Sequence, residues 1–394
     1  MNKTVAMILA GGRGKRMDIL CHGRSKPALP FAGSWRVIDF SLSNCVHSGI
    51  SNMAALIDYQ REYTAEYLKE WCKAHTGGNS LHILEPKSGS YKGTSDAVYQ
   101  SLDYLRDCDP KAVLVLAGDH VYKMDYRKML AFHQRMEADV TIGVIPVPIQ
   151  QAHRFGIVTT DAEGRITDFV EKPHYPTSNL ASMGIYVFRT EVLADHLKRD
   201  SAEPVSPHDF GYALIPRMVK WNRVFAYKFD GYWRDIGTIE TYYEANMELT
   251  LAVPSFNLDG SWPILTGDSS LSLPALSNMG SIRHSIVSAG CTIRGRVENS
   301  ILSPGVVVEE RAVVRNSIVM ANAVIGKHSV VDRCILDEGV NIDKFCYIGF
   351  GSGLSRSSSD ITVLGRDTTV PPGTAVSRNR RVEPGTRLLA GIKG

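Results

Sequence analysis

Residues 11 to 16 read Gly-Gly-Arg-Gly-Lys-Arg, directly after an apolar run from Val5 to Ala10. Backbone N–H groups in a tight glycine-rich turn form a concave anion nest. Without Cβ atoms at Gly11, Gly12 and Gly14, a phosphate can approach the chain closely. Arg13, Lys15 and Arg16 add positive charge, so a polyphosphate is the natural occupant. Neither familiar phosphate signature is met. No Ser or Thr follows the Gly-Lys pair, and Met17 stands where the dinucleotide pattern needs its last glycine. On the glycines alone, an ordinary strand-to-helix turn with solvated charges stays open.

More groups of the same chemistry follow. The segment Arg24–Phe31 (RSKPALPF) adds Arg24 and Lys26, with Pro27 and Pro30 stiffening the chain around the lysine. Acidic residues answer these cations. Asp119 comes directly after the apolar run Ala112–Gly118, and a carboxylate at the C-terminal edge of a central strand suits a divalent metal or a substrate. Asp235, in DGYWRDIGT, is a second candidate, though it could equally pair with Arg234. Two carboxylates and a polyphosphate are a typical Mg²⁺ environment. Glu171 and Lys172, before Pro173, could accept from sugar hydroxyls and hold a single phosphate.

These residues need a scaffold that brings strand ends together. Up to about residue 245, short apolar runs (VAMILA, MAALID, AVLVLAG, DVTIGVIPV, ASMGIYVF) alternate with helical stretches. Two such stretches are REYTAEYLKEWCKA and SDAVYQSLDYLRD; in the latter, Ala97, Val98, Leu102 and Leu105 share a face. The alternation predicts an α/β domain with a mostly parallel sheet covered by helices, binding ligands at the C-terminal strand ends. Residues 251–280, rich in Pro, Ser, Asn and Gly, read as a linker. Beyond it Ile286, Ile301, Ile318 and Ile335 recur, with further aliphatics about six residues apart, as in Ile318, Val324 and Val330. That rhythm predicts a hexapeptide-type parallel β-helix over 281–394, with these columns pointing inward.

Composition excludes several classes. The 394 residues carry a formal net charge of only +3, with 44% hydrophobic and 22% charged residues, which argues against nucleic-acid partners. No apolar run reaches the length of a membrane span, and no signal peptide is apparent. Seven scattered cysteines without a CxxC pair fit a reducing cytoplasm rather than a disulfide framework or a structural zinc site.

Taken in order, ILAGGRGKRM, SKPALPF, FSLSNC, GTSDAVYQ, LAGDHVYKMD, FVEKP, SMGIYVF, HDFG, LIPRM and YWRDIGT resemble the bacterial glucose-1-phosphate adenylyltransferases (ADP-glucose pyrophosphorylases) over nearly the whole chain. The glycine loop and EKP recur among sugar nucleotidyltransferases generally; FSLSNC, HDFG and YWRDIGT are more particular to the adenylyl branch. The resemblance implies a Rossmann-like nucleotidyltransferase domain over 1–250, the linker, and a left-handed β-helix. It implies AMP transfer from ATP to α-D-glucose 1-phosphate, giving ADP-glucose and pyrophosphate for bacterial glycogen synthesis. It implies that Arg16 activates the β- and γ-phosphates, that Lys26 lies near the nucleotide phosphates, and that Asp119 and Asp235 hold Mg²⁺. Tyr91, Gly156, Glu171, Lys172 and Ser182 match the sugar-phosphate contacts. Leu9, Ala10, Gly11 and Gly12, with Gly93, match the nucleotide cradle. Family habit also implies an allosteric, cytoplasmic homotetramer.

Several positions depart from the family pattern. Ser90 replaces an aromatic residue beside Tyr91, Asp58 a glutamine, and Tyr212-Ala213 a Lys-Asp or Gly-Asp pair. Gly23 stands where relatives activated by fructose 1,6-bisphosphate carry a lysine, although Arg24, Arg36 and Lys15 remain nearby. Alternative readings are a nucleotidyltransferase using another NTP or sugar phosphate, a non-catalytic regulatory subunit, and a β-helical acyltransferase. For the last, His284 and His328 are isolated.

Overall fold

The computed structural model describes residues 4–75, 80–267, 275–276, 280–351 and 360–390. Part of the expected linker, 268–274 and 277–279, lies outside the described residues. The chain forms two compact units that do not follow chain order. One comprises residues 1–12 and 40–233, the other residues 13–39 and 234–394. No described helix is long and apolar enough to cross a membrane.

In the first unit, nine strands of the described residues form one sheet. They are β1 (Thr4–Leu9), β2 (Asn52–Leu56), β3 (Ser80–Leu84), β4 (Ala112–Ala117), β5 (Val140–Pro146), β6 (Gly156–Thr160), β7 (Ile166–Glu171), β8 (Leu180–Arg189) and β9 (Val224–Lys228). β1, β2, β3 and β4 pair parallel, as the alternation predicts. The sheet is nonetheless mixed, because β8 enters antiparallel between β4 and β5. The parallel strands are solidly apolar, since both faces are buried. Leu9 lies beside Leu56 and Ala117, so the chain leaves β1, β2 and β4 along one edge. The stretch 95–107 is two helices, Thr94–Gln100 and Leu102–Cys108. Between them the Ser101 hydroxyl donates to the Ala97 carbonyl at 2.9 Å, a side-chain bond that competes with the helix ladder.

The second unit is built on three parallel sheets of six strands each among the described residues. Successive coils pair Ile286 with Ile301, Ile301 with Ile318, and Ile318 with Ile335, the repeat read from the sequence. The side of each strand that faces inward is one residue further on. Leu302, Val319, Leu336, Ile325 and Val331 belong to the interior cluster, while Ile301, Ile318, Ile335, Val324 and Val330 do not. Adjacent strand residues point to opposite faces, so the expected columns face outward. Ile301, Ile318 and Ile335 are buried all the same, and other parts of this unit pack on that sheet. A Cβ at Gly33 would meet Ser288 Oγ and stand 3.4 Å from the Leu302 carbonyl. The Tyr243 hydroxyl donates to the Asn316 carbonyl at 2.6 Å. The 251–267 stretch is largely exposed but anchored at a few points. Trp35 Nε1 donates to the Ile264 carbonyl, and Ile264 and Leu258 are buried. Strand pairing in the β-helix begins at Ala275–Leu276, before residue 281.

One tie in this unit is a buried ion pair. Arg24 is fully buried; its Nη2 donates to Asp337 Oδ1 at 2.6 Å and its Nη1 lies 3.1 Å from Glu338. Burial pushes the Asp337 carboxyl above its ordinary value despite the pull of Arg24. Desolvation of such a pair is costly, and losing one partner leaves an uncompensated buried charge. Arg24→Ala is therefore expected to destabilise the protein by about 3–5 kcal/mol, read from denaturant unfolding. Paired replacement by apolar residues, Arg24→Met with Asp337→Leu, is expected to recover most of that loss.

Candidate active site

In the first unit the expected nucleotide residues gather at one sheet edge. Leu9 ends β1, and its carbonyl accepts from the Gly118 N–H at 3.0 Å. Ala10 is buried and donates to the Leu56 carbonyl at 2.9 Å. Gly11 passes so close to Asp58 that a Cβ there would stand 2.9 Å from Asp58 Cβ. Gly12 has open space around it, so sterics do not require a glycine there in this structure. Gly93 is extended, with φ −176°, and is demanded by space. A Cβ would come 2.6 Å from the Pro207 carbonyl and closer still to that of His208.

Asp58, a departure from the family pattern, has a structural task here. Its carboxylate accepts from the Tyr91 N–H at 3.2 Å and from Arg61 Nη2 at 3.1 Å. It thus fixes Tyr91, whose hydroxyl donates to the Leu84 carbonyl at 3.3 Å. Burial pushes the Tyr91 phenol above its ordinary pKa, and the charge of Asp58 adds to the shift. Asp119 follows Gly118 at the same edge, with its carboxylate 3.6 Å from His120 Nε2.

Of the expected sugar-phosphate residues, Gly156, Glu171 and Lys172 come together in this unit. Glu171, at the end of β7, lies 2.9 Å from Lys172 Nζ. Its carboxylate is enclosed by two glycines. A Cβ at Gly156 would stand 2.7 Å from Glu171 Oε2, and one at Gly211 would stand 2.6 Å from it. Burial disfavours the Lys172 ammonium, but the hydrogen bond and charge of Glu171 outweigh it and the pKa is raised. Lys172 has φ +48°, so the strand ends in a left-handed kink that redirects its side chain. Ser182 is buried in β8, where its hydroxyl donates to the Tyr186 hydroxyl at 3.3 Å.

Gly211 was not singled out from the sequence, although HDFG contains it. Nor was the role of Asp209. That carboxylate caps the helical turn Phe210–Leu214, accepting from the N–H groups of Gly211 and Tyr212 and from the Thr94 hydroxyl. The turn beside Glu171 is thereby tied to the residue after Gly93.

The second unit carries the cations. Gly14 has φ +61°, and a Cβ there would stand 2.7 Å from Cys21 Sγ and 3.1 Å from Lys26 Cβ. Glycine is required on both counts. Lys26 is buried, with Nζ 3.3 Å from Asp235 Oδ1. Arg16 reaches the same place: a Cβ at Gly237 would be 2.7 Å from Arg16 Nη2 and 3.0 Å from Asp235 Oδ1. Asp235 thus meets Lys26, while Arg234 pairs with Glu248. Arg24 and Arg36, the cations that remain near Gly23 in the sequence, are engaged within the fold. Arg24 is buried on Asp337, and Arg36 Nη1 donates to the Ala28 carbonyl at 2.7 Å.

A strand-end glycine loop, clustered cations and acidic side chains are the apparatus of phosphoryl-group transfer without a covalent protein intermediate. The sequence matches the nucleotidyl transferase family over residues 5–251 and the GlmU-like C-terminal hexapeptide family over 274–365. More particular relatives are glucose-1-phosphate adenylyltransferases. That of Acetivibrio thermocellus is 43% identical, covering 96% of this chain and 93% of its own. That of Thermomicrobium roseum is 44% identical, covering 98% and 94%, and that of Fervidobacterium nodosum 41%, covering 96% and 95%. The chain belongs to the glucose-1-phosphate adenylyltransferase family.

The boxed Glu171 carboxylate gives a direct test. A methyl at Gly211 must displace it, and Gly156 closes the opposite side. Gly211→Ala is expected to raise KM for the sugar phosphate about tenfold or more, the scale of one lost charge-assisted contact. The melting temperature should stay within a few degrees, as followed by differential scanning fluorimetry.

Proposed function

We propose that the protein transfers AMP from ATP to α-D-glucose 1-phosphate, releasing pyrophosphate and forming ADP-glucose for bacterial glycogen synthesis. Full-length similarity to adenylyltransferases, together with the clustering of Arg16, Lys26 and Asp235, carries this reading. A sugar-phosphate oxygen attacks the α-phosphorus of ATP, a new P–O bond forms, and the bond to pyrophosphate breaks in line. No protein nucleophile is needed. The chain must hold two mutually repelling phosphates and stabilise charge on the leaving group.

The roles divide by residue. Leu9, Ala10, Gly11, Gly12 and Gly93 cradle the nucleotide. Glu171 accepts from sugar hydroxyls, and Lys172 holds the sugar phosphate. Tyr91, Gly156 and Ser182 shape that subsite. Arg16 and Lys26 neutralise the nucleotide phosphates. Asp119 in the first unit and Asp235 in the second each offer a hard oxygen ligand of the kind that suits Mg²⁺. That ion usually takes one or two carboxylates and completes its shell with phosphate oxygens and water. When bound, the ion would supply charge neutralisation on the phosphates. A burial-costly Lys26 facing Asp235 favours an active enzyme over a lapsed regulatory subunit.

Along the chain we assign catalysis to 1–250 and the β-helix to 281–394, with the connection 251–280 already contributing a coil strand at Ala275–Leu276 and residues 13–39 folding beside the β-helix. A cytoplasmic homotetramer, without nucleic-acid or membrane partners, is the accompanying proposal. Pyrophosphate release measured over four NTPs and several sugar 1-phosphates tests the reaction; preference for UTP or an amino-sugar phosphate would overturn it. Asp119→Asn is expected to lower kcat ~10²-fold or more at saturating Mg²⁺. Activation by fructose 1,6-bisphosphate is expected to be weak. Gly23 offers no cation, its φ of +81° disfavours replacement by lysine, and Arg24 is committed to Asp337. An activity titration with that effector reads this directly, and strong activation at micromolar concentration would refute it.

A further inference from the structure

Tyr212 departs from the family pattern, and the proposed reaction assigns it nothing. It lies in the turn Phe210–Leu214 and is 56% exposed. Its backbone is fixed, because its N–H donates to Asp209 Oδ1 at 3.0 Å. Its ring lies under Lys172, with Nζ 5.4 Å from the ring centroid. The same ammonium is 2.9 Å from Glu171 Oε1. Gly211, the neighbour of Tyr212, packs against that carboxylate.

We propose that Tyr212 is a positioning residue for the sugar-phosphate subsite, its aromatic face holding the Lys172 ammonium where it meets the phosphate of glucose 1-phosphate. The argument turns on donor counting. An ammonium has three N–H donors. Glu171 takes one and would compete with a phosphate for the charge. An aromatic face attracts the cation through its quadrupole, leaving hydrogen-bonding geometry open elsewhere. The ring thus restricts a long, entropy-rich side chain without consuming the donors that a phosphate needs. The ring does the work, so the phenolic hydroxyl is dispensable.

This inference rests on the reading of Lys172 as the sugar-phosphate ligand, and one set of variants separates the two. Steady-state kinetics are measured for the natural enzyme, Tyr212→Ala, Tyr212→Phe, Lys172→Ala and the double Tyr212→Ala/Lys172→Ala. A cation–π contact at a partly exposed site corresponds to roughly a three- to tenfold change in affinity. Tyr212→Ala should raise KM for glucose 1-phosphate by that factor, leaving KM for ATP and kcat within about twofold, the pattern of a lost ground-state contact. Tyr212→Phe should restore the natural KM. In the Lys172→Ala background, Tyr212→Ala should add nothing, because the ring acts through the lysine. If Lys172→Ala raises KM for the sugar phosphate and Tyr212→Ala does not, the positioning role is overturned while the subsite stands. If Tyr212→Phe behaves as Tyr212→Ala, a hydroxyl contact replaces the proposed one. If Lys172→Ala leaves that KM unchanged, the subsite assignment falls and this inference with it.

Discussion

The buried pair of Arg24 with Asp337 is the constraint on which the second unit depends. A guanidinium with no exposure is stable only where its partner waits in fixed geometry. Asp337 has that geometry because it follows Leu336, whose side chain is locked into the coil interior. Two residues from Arg24 the chain reaches Lys26, and Pro27 limits how far it can turn. A rigid coil, a paired charge and a proline together set the place of a lysine facing Asp235. The β-helix is therefore more than an appendage: it is the ground on which Lys26 stands.

In the first unit the corresponding role falls to close backbone approach. Glu171 is confined by Gly156 and Gly211, Gly93 runs against the Pro207–His208 carbonyls, and Gly11 presses on Asp58. A carboxylate flanked by surfaces that cannot yield keeps one orientation without using up its hydrogen-bonding capacity. Asp209 then links the two halves of the arrangement, bonding both the Thr94 hydroxyl and the turn that contains Gly211. The unit gains precision through missing Cβ atoms and one shared carboxylate.

Much of this was legible beforehand, for identifiable reasons. Strands β1, β2 and β4 announced themselves as short apolar runs because both sheet faces are covered. The coil repeat was visible because each turn reuses the same spacing. What escaped depended on the far side of a surface. The facing of Ile301 and Leu302 turns on a single-residue shift, which flips a strand's inner and outer sets. Both sets are apolar here, because segment 13–39 and the Tyr243 region lie on this unit's outer face. Local pattern therefore could not choose between them. The antiparallel entry of β8 left no local mark, and neither did the partnership of Arg24 with a residue 313 positions away. Asp58 read as an oddity until its bond to the Tyr91 backbone gave it a purpose.

The discontinuous second unit also has a consequence in time. On the ribosome, Arg24 and Lys26 are among the first residues made, whereas Asp337 follows 313 residues later. At translation rates of about 5–20 residues per second, roughly 15–60 s separate their appearance. The sheet strands of the first unit are complete by residue 228 and can begin to pair meanwhile. Segment 13–39 must wait, tethered at both ends to that assembling unit, with its arginine still in water. Only when the coil bearing Asp337 has emerged can the charge be buried. Synthesis interrupted before that coil would leave the early cations present in the chain but without the ground that orders them.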